Sequence, residues 1–324
     1  MDFPIVELVD DDLASEWLLE HFHPKGLNCP HCGTSVKEAR DFRETKTSKL
    51  VVHRCLNCEG IYNLYSGTAF QHKQLSPAQV VLLLRGVCKG ESSASIGREI
   101  SITRQTVTSI RRELHQNAEA IQPTTPLADK VTETDEMFQN AGEKSDPHLD
   151  PSDPPRRRAN KRKGHGTYEN DRPPVVGTIG RESGQVRLRV VHHTDQDTLE
   201  AHVHQFTTSC AQVYTDEWSG YNHLIRPHAT VCHGQREWAR DDDGDGILEV
   251  HTNTTEGMWT TVRNFLRTFR GVHKKFLSGY IAICEFRVNL KRINPLFISQ
   301  LVARTHSYLE PAYFALSITD NHNF

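Results

Sequence analysis

The sequence predicts an α/β fold in which a mixed β-sheet is flanked by helices and is preceded by two smaller units, one rich in cysteine and one helical. Three observations support this prediction. The chain has 324 residues, which is more than one compact unit usually holds. Two CxxC pairs stand near its N-terminus. Strand-like and helix-like patterns alternate over residues 173–310.

The composition of the chain changes along its length and divides it into four parts. We expect a cysteine-rich unit with an acidic lead-in over residues 1–75, a helical unit over 76–120, an α/β domain over 121–310 and a C-terminal tail over 311–324. Within the α/β domain, residues 139–172 form a basic, proline-rich insertion.

The overall composition excludes several classes of protein. Hydrophobic residues make up 36% of the chain and charged residues 24%, which rules out a wholly disordered, collagen-like or coiled-coil protein. The net charge of −3 does not by itself indicate a nucleic-acid partner, so any basic surface must be local. No apolar run approaches the roughly 20 residues that a bilayer requires, and the acidic start is unlike a signal peptide. We therefore expect a cytoplasmic protein without a membrane partner.

The paired cysteines predict a bound zinc ion. Structural zinc takes four thiolates at the corners of a tetrahedron, and each CxxC turn can aim two sulfurs at one point. In a reducing compartment disulfides are disfavoured. A site closed by four cysteines holds structure and leaves no position for chemistry. We expect a zinc ribbon whose ligands are Cys29, Cys32, Cys55 and Cys58.

Residues 76–117 predict three short helices. Ser76 caps the first helix and Gly90 ends it, while Ser92 can cap the second. Three helices with a tight turn before the last match a helix-turn-helix unit, whose last helix enters the major groove of DNA. A plain helical bundle is the alternative. The residues expected to face DNA are Arg104, Gln105, Thr108, Arg111 and Arg112.

The rest of the chain predicts the sheet. The order of its elements is three strands, a helix, a strand, a short helix, a strand and a long helix, which is the layout of an RNase H-like fold. The elements are a strand over 131–135, a hairpin over 174–191, a helix over 197–206, strands over 211–215 and 228–232, and a helix over 254–269.

Three acidic residues stand at the ends of these elements. Asp135 ends the first strand, Asp216 follows the fourth, and Glu256 lies near the start of the long helix. Helical periodicity places Glu256 and Arg263 on one polar stripe, opposite an apolar side that would pack on the sheet. Two divalent ions about 4 Å apart need hard oxygen ligands of this kind, and they can activate a water or a 3′ hydroxyl. The three acids predict a two-metal phosphodiester site.

Other charged residues compete with this choice. Glu133, Glu136 and Glu217 neighbour the chosen acids. The segment 241–247 looks like the start of a calcium-binding loop, but its twelfth position, where a Glu belongs, is Thr252. We favour a solvated acidic loop there. The arginines and lysines over 156–163 are either a solvated loop or a contact to the DNA backbone.

Together these features resemble a known family, the insertion-sequence transposases with an N-terminal zinc ribbon and an RNase H-like DDE catalytic domain. The resemblance covers nearly the whole chain. It is carried by the motifs CPHC, CLNC, TDE around Asp135, GHGTYENDRPPVVGTIGR, YTDEWSGY and DGDGILEVHTNTTEGMWTTVRNFLRTFRGVHKKFL. The resemblance implies that Asp135, Asp216 and Glu256 hold two Mg²⁺ ions. Arg263 stands where relatives commonly have Lys, and Asn253 competes with Glu256 as the third ligand.

The resemblance also implies an activity. A transposase of this kind binds the terminal inverted repeats of its element and catalyses metal-dependent cleavage and strand transfer into target DNA, as a homo-oligomer on double-stranded DNA. Two other functions remain open from the sequence. One is a zinc-ribbon DNA-binding regulator derived from an inactive transposase, and the other is a nuclease with the same fold that acts on RNA–DNA hybrids.

Overall fold

The computed structural model describes residues 1–142 and 164–304. The predicted basic cluster over 156–163 and the tail over 311–324 lie outside the described residues. Within the described ranges, no helix combines the length and the apolar character that a membrane span requires.

The N-terminal region contains one helix and a small sheet. Asp10 caps the helix by accepting hydrogen bonds from the backbone N–H groups of Asp12 and Leu13. The sheet is antiparallel in the order β1-β2-β3. It places the two CxxC turns beside each other, as a zinc ribbon does. The elements are α1 (Asp11–Phe22), β1 (Ala39–Glu44), β2 (Val51–Cys55) and β3 (Ile61–Tyr62).

Three helices follow, close to the predicted positions. Ser76 forms a capping box with Gln79, and Gly90 ends the first helix with a left-handed φ of 82°. Gly90 is also needed for packing, because an added Cβ would lie 2.4 Å from the ring of Phe265. Thr103 caps the last helix. The helices are α2 (Pro77–Lys89), α3 (Ser93–Glu99) and α4 (Arg104–Ala120).

The α/β domain contains a five-stranded mixed sheet in the order β6-β5-β4-β7-β8. Strands β6, β5 and β4 pair antiparallel, while β4, β7 and β8 pair parallel. This topology confirms the predicted RNase H-like fold. The strands are β4 (Val131–Phe138), β5 (Pro174–Gly180), β6 (Val186–Val190), β7 (Gln212–Asp216) and β8 (His228–Val231), and a two-stranded ribbon is formed by β9 (Ala239–Arg240) and β10 (Val250–His251).

Helices cover both faces of this sheet. One face carries α5, which buries Leu199 and Val203 against Val176 and Val213. The other face carries α6 and α7, and its hydrophobic core continues without interruption into α1–α4 and α8. The helices are α5 (Gln196–Phe206), α6 (Asn253–Arg267), α7 (Leu277–Asn289) and α8 (Pro295–Val302).

Two details differ from the sequence prediction. The helical unit shares its core with the α/β domain, and Asn117 on α4 donates hydrogen bonds to the carbonyls of Leu301 and Ala303, at 2.7 and 2.8 Å. Strand β4 continues past Asp135 to Phe138, because its ladder with β5 extends to Pro174. Asp135 therefore lies inside a strand and not at its end.

Candidate active site and metal centres

Four thiol groups come together beside the small N-terminal sheet. The Sγ atoms of Cys29 and Cys58 lie 3.6 Å apart, and those of Cys32 and Cys55 are also 3.6 Å apart. All four sulfurs lie within 4.8 Å of one another. A tetrahedral zinc ion with Zn–S bonds of about 2.3 Å separates its sulfurs by about 3.8 Å. The spacing and chemistry of these thiols therefore suit one zinc ion.

A second polar site lies at one edge of the five-stranded sheet. The parallel strands β4 and β7 pair Glu133 with Tyr214, so Asp135 and Asp216, each two residues further on, reach the same level. Helix α6 adds Glu256 to this site. These groups line a cavity of about 320 Å³. Its lining residues are Asp135, Asp216, His233, Thr252, Glu256, Trp259, Thr260 and Arg263.

The three predicted acids share this cavity without forming a tight cluster. Among the described residues, two groups of three or more ligand side chains have all their ligand atoms within 4.8 Å, and neither contains Asp135, Asp216 or Glu256. Two ions about 4 Å apart spread their ligands over a larger volume than a single ion does. Asn253, the rival of Glu256, is exposed at the first position of α6 and is absent from the cavity lining.

The pKa values of the two aspartates in the cavity, Asp135 and Asp216, are raised. Burial and the charge of Asp216 raise the pKa of Asp135 to about 6, while a hydrogen bond from Trp259 works in the opposite direction. Burial also raises the pKa of Asp216. Because burial disfavours the charged form of both carboxylates, and Asp216 adds to this effect on Asp135, a cation in the cavity would stabilise their charged forms.

Comparisons with known proteins find two similarities to this chain. Residues 135–289 match the family model of the ISXO2-like transposase domain. Over 287 residues the chain is 25% identical to an uncharacterized protein in transposable element ISH50 of Halobacterium salinarum (strain ATCC 700922 / JCM 11081 / NRC-1), covering 88% of this chain and 92% of that protein. The family model and the relative from a transposable element together support an insertion-sequence transposase.

One solved structure is also similar to this chain. It is the simian T-cell lymphotropic virus intasome in complex with the PP2A regulatory subunit B56 gamma, at 10% identity, covering 66% of this chain and 70% of that one. The TM-score is 0.28, which is too low to support a statement about shared geometry. The assignment of an RNase H-like fold therefore rests on the strand order of the chain itself.

Glu133, one of the rival acids, has a structural role. Its side chain is completely buried and accepts hydrogen bonds from the backbone N–H groups of Thr254 and Thr255, at 2.9 and 3.0 Å. Arg181 pairs with it at 2.6 Å and also donates to the carbonyl of His251 at 2.7 Å. Glu133 thus ties the start of α6 to β4. No local pattern distinguishes Glu133 from Asp135 and Glu136 on the same strand, so the sequence alone did not indicate this anchor.

The other two rivals also have partners of their own. Glu136 accepts a hydrogen bond from the hydroxyl of Tyr221 at 2.7 Å, and burial raises its pKa to about 8. Glu217 accepts hydrogen bonds from the backbone N–H groups of His233 and Gly234, at 2.8 and 2.9 Å. Glu136 is turned away from Asp135 by strand alternation, and Glu217 fixes the turn that carries His233.

His233 is a cavity residue that the sequence analysis missed. It follows the end of β8, and its Nε2 lies 3.3 Å from the hydroxyl of Thr252, just before α6. Its ring also faces Trp238, with centroids 5.0 Å apart. The available signal was a histidine directly after a predicted strand that neighbours the strand of Asp216.

The acidic loop after β9 is a second candidate cation site. Carboxylate oxygens of Asp241, Asp243 and Glu249 lie within 4.8 Å of one another. Hydrogen bonds inside the loop hold its conformation. Asp241 accepts them from the backbone N–H groups of Gly244 and Gly246, at 2.6 and 2.9 Å. These oxygens can hold a divalent cation, although the sequence analysis favoured a solvated loop.

Helix α4 presents most of the predicted DNA-facing residues to solvent. Arg104, Gln105 and Arg112 are exposed, and Thr108 is half-buried. The prediction for Arg111 is wrong. Arg111 is only 2% exposed and donates to the hydroxyl of Ser93 and to the carbonyl of Glu91. Its position beside the buried Val107, Ile110 and Leu114 explains why it packs inside the three-helix unit.

Proposed function

We propose that this transposase cuts and joins DNA with a pair of divalent ions held in the cavity between β4, β7 and α6. The observation that carries the proposal is the meeting of Asp135, Asp216, Glu256 and Arg263 in that one cavity. The family match supports transposase chemistry in general. The cavity supports the two-ion mechanism in particular. It contains carboxylate oxygens that can bind divalent metals, and the guanidinium of Arg263 can bind a phosphate.

Each side chain has a role in this proposal. Asp135 and Asp216 bind two Mg²⁺ ions, and Glu256 completes the ligand set. When bound, the ions activate a water or a 3′ hydroxyl and stabilise the leaving oxygen of the phosphodiester. Arg263, two turns after Glu256 on the same helix face, donates to the phosphate as relatives do with Lys. Asn253 is the weaker candidate for the third ligand because it does not line the cavity.

The N-terminal units bind DNA in this proposal. The four cysteines hold one structural zinc ion, and the zinc ribbon over 1–75 contacts the terminal inverted repeats together with the helix-turn-helix unit over 76–120. On α4, the exposed Arg104, Gln105 and Arg112 are the residues best placed for DNA contacts. The catalytic domain extends over 121–310. Two element ends must be joined in one complex, so we expect a homo-oligomer on double-stranded DNA.

The test uses purified protein, Mg²⁺, a labelled terminal fragment and supercoiled plasmid. We expect the parent protein to nick the fragment and join it to the plasmid. Asp216→Asn should lower the yield by about a thousand-fold, because a lost metal ligand removes several kcal/mol of transition-state stabilisation. Asp197→Asn is the matched control, since Asp197 is exposed on α5 and far in sequence from the cavity residues.

A third variant separates the cavity from the acidic loop. If Asp243→Asn loses activity and Asp216→Asn keeps it, the loop holds the catalytic ion and the cavity assignment is wrong. If every protein binds the terminal fragment in a gel-shift assay but none cuts it, the chain acts as a DNA-binding regulator.

A further inference from the structure

We propose that Trp259 is a positioning residue for Asp135, in that its indole N–H fixes one oxygen of the carboxylate and leaves the other directed at the divalent ion. This inference rests on the proposed two-metal function and deepens it. It assigns a role to a side chain that has no metal-ligand atom of its own.

The contact between the two residues is direct and protected from water. The indole Nε1 of Trp259 donates to Oδ2 of Asp135 at 2.8 Å. Trp259 is 2% exposed, so no solvent molecule can easily replace this bond. Both residues line the cavity that also contains Asp216 and Glu256. Since Trp259 lies one turn after Glu256 on α6, the bond ties the helix that carries Glu256 to the strand that carries Asp135.

The neighbouring strand provides space for the indole ring. In the ladder between β4 and β5, the residue opposite Asp135 is Gly177. A Cβ at Gly177 would lie 2.7 Å from Cη2 of Trp259 and 2.7 Å from the terminal carbon of Met258. Any larger residue would therefore displace the ring. The absence of a side chain opposite Asp135 lets the indole reach the carboxylate.

Comparison with Glu133, a second carboxylate on β4, shows the effect of the charge of the hydrogen-bond donor. Glu133 lies two residues before Asp135, on the same face of β4, and its charge is balanced by Arg181 at 2.6 Å. Asp135 instead receives its hydrogen bond from a neutral indole. A neutral donor orients a carboxylate without cancelling its charge, so Asp135 keeps its negative charge for a cation. The difference between a cationic and a neutral partner separates the structural acid from the metal-binding one.

The role predicts a specific change in metal affinity. Partners that hydrogen-bond to metal ligands typically contribute 10- to 100-fold to metal affinity. In Trp259→Phe, which keeps an aromatic ring and loses the N–H, we expect the Mg²⁺ dissociation constant and the half-saturating Mg²⁺ concentration for DNA cleavage to rise by about 10-fold or more. The cleavage rate at saturating Mg²⁺ should fall much less. Gly177→Ala should have the same effect, because it displaces the indole.

The experiment measures Mg²⁺ binding to the full chain by calorimetry, without DNA, and then cleavage as a function of Mg²⁺ concentration. Trp17→Phe is the control for the loss of an indole, because Trp17 lies on α1. Gly257→Ala is the control for an added methyl group, because no atom lies within 4 Å of its new Cβ. Both controls should bind Mg²⁺ like the parent. If Trp259→Phe unfolds, the indole N–H signal in the NMR spectrum of the parent should still shift on adding Mg²⁺, and should not shift in Asp135→Asn.

The outcomes separate this inference from the proposed function. If Asp135→Asn abolishes Mg²⁺ binding while Trp259→Phe and Gly177→Ala bind Mg²⁺ as tightly as the parent, the positioning role is wrong and the two-metal function stands. If Asp135→Asn binds Mg²⁺ like the parent, the two-metal assignment itself fails.

Discussion

The cysteine cluster and the acidic cavity both offer groups that can bind cations, but these groups are brought together differently. The four cysteines come from two short turns, so local geometry and a small sheet suffice to place the sulfurs 3.6 Å apart. The acids of the cavity come from β4, β7 and α6, and they meet only through the register of the sheet and the anchoring of the helix. The first site depends on a small unit, and the second depends on the whole α/β domain.

The two regions also differ in what the metal does for the fold. In a zinc ribbon the ion replaces a hydrophobic core that the unit is too small to build. The acidic cavity lies on a sheet whose two faces are already packed. We therefore expect loss of metal to unfold the first region and to inactivate the second without unfolding it.

The largest expected effect is on the zinc ribbon. Cys55→Ser should reduce bound zinc from about one ion per chain to none and unfold β1–β3, because structural zinc contributes roughly 10 kcal/mol or more to such units. Cys210→Ser should keep the zinc, since Cys210 is exposed outside the cluster. Atomic absorption measures the zinc content of each variant, and limited proteolysis shows whether β1–β3 are folded. If the N-terminal region of Cys55→Ser stayed folded without zinc, the expected difference between the zinc ribbon and the acidic cavity would be wrong.

The next effect concerns the third ligand of the cavity. Glu256→Gln should lower cleavage by about a thousand-fold at unchanged thermal stability, because the ligand is lost and the packing remains. Asn253→Ala should lower it less than about tenfold, since Asn253 is not among the residues that line the cavity. Rates of single-turnover cleavage measure both. Equal losses, or a larger loss in Asn253→Ala, would make Asn253 the ligand.

A smaller effect is expected where Glu133 anchors α6. Glu133→Gln leaves the buried side of Arg181 without a charged partner, so we expect a loss of about 3 kcal/mol in the free energy of unfolding. Asp2→Asn breaks an exposed pair with Lys89, at 2.8 Å, and should lower the free energy of unfolding much less, because solvent screens this pair. Urea denaturation followed by circular dichroism compares them. Similar losses for both would mean that α6 is held by packing alone.

The smallest effect is on the pH dependence of the free energy of unfolding. It involves neither the cysteine cluster nor the acidic cavity. His202 on α5 is 4% exposed, and burial lowers its pKa to about 3. In the unfolded chain its pKa is about 6.5, so below that pH the unfolded state binds more protons and stability falls by about 1.4 kcal/mol per pH unit. Above pH 6.5 the histidine has no effect.

His202→Gln tests this sign. The variant should lose stability less steeply than the parent between pH 6 and pH 4, as measured by denaturant unfolding at several pH values. His193→Gln is the exposed control and should follow the parent. A parent-like slope in His202→Gln would show that His202 is protonated in the folded protein.

The sequence predicted what local patterns encode. Capping residues such as Ser76 and Thr103 marked the helices, and strand order gave the RNase H-like layout. It could not predict which long polar side chain turns inward. Arg111 and Arg112 are neighbours, yet Arg111 is buried by its hydrogen bonds to α3 and the preceding turn, while Arg112 is exposed.

In the cavity, too, the sequence predicted the candidate residues but not their hydrogen bonds. Asp135, Asp216 and Glu256 were chosen from predicted element ends and Arg263 from the polar stripe of the helix, and all four line the cavity. The hydrogen bond from Trp259 depends on the register that sets Gly177 opposite Asp135, and the anchor at Glu133 depends on where α6 begins. Neither contact has a local sequence pattern, because each joins residues more than forty positions apart.

Anomalous diffraction from crystals grown with Mn²⁺ tests the central claim most directly. The account predicts two Mn²⁺ ions about 4 Å apart, bound by Asp135 and Asp216 with Glu256 beside them. Mn²⁺ bound only at Asp241, Asp243 and Glu249, with none between Asp135 and Asp216, would contradict it.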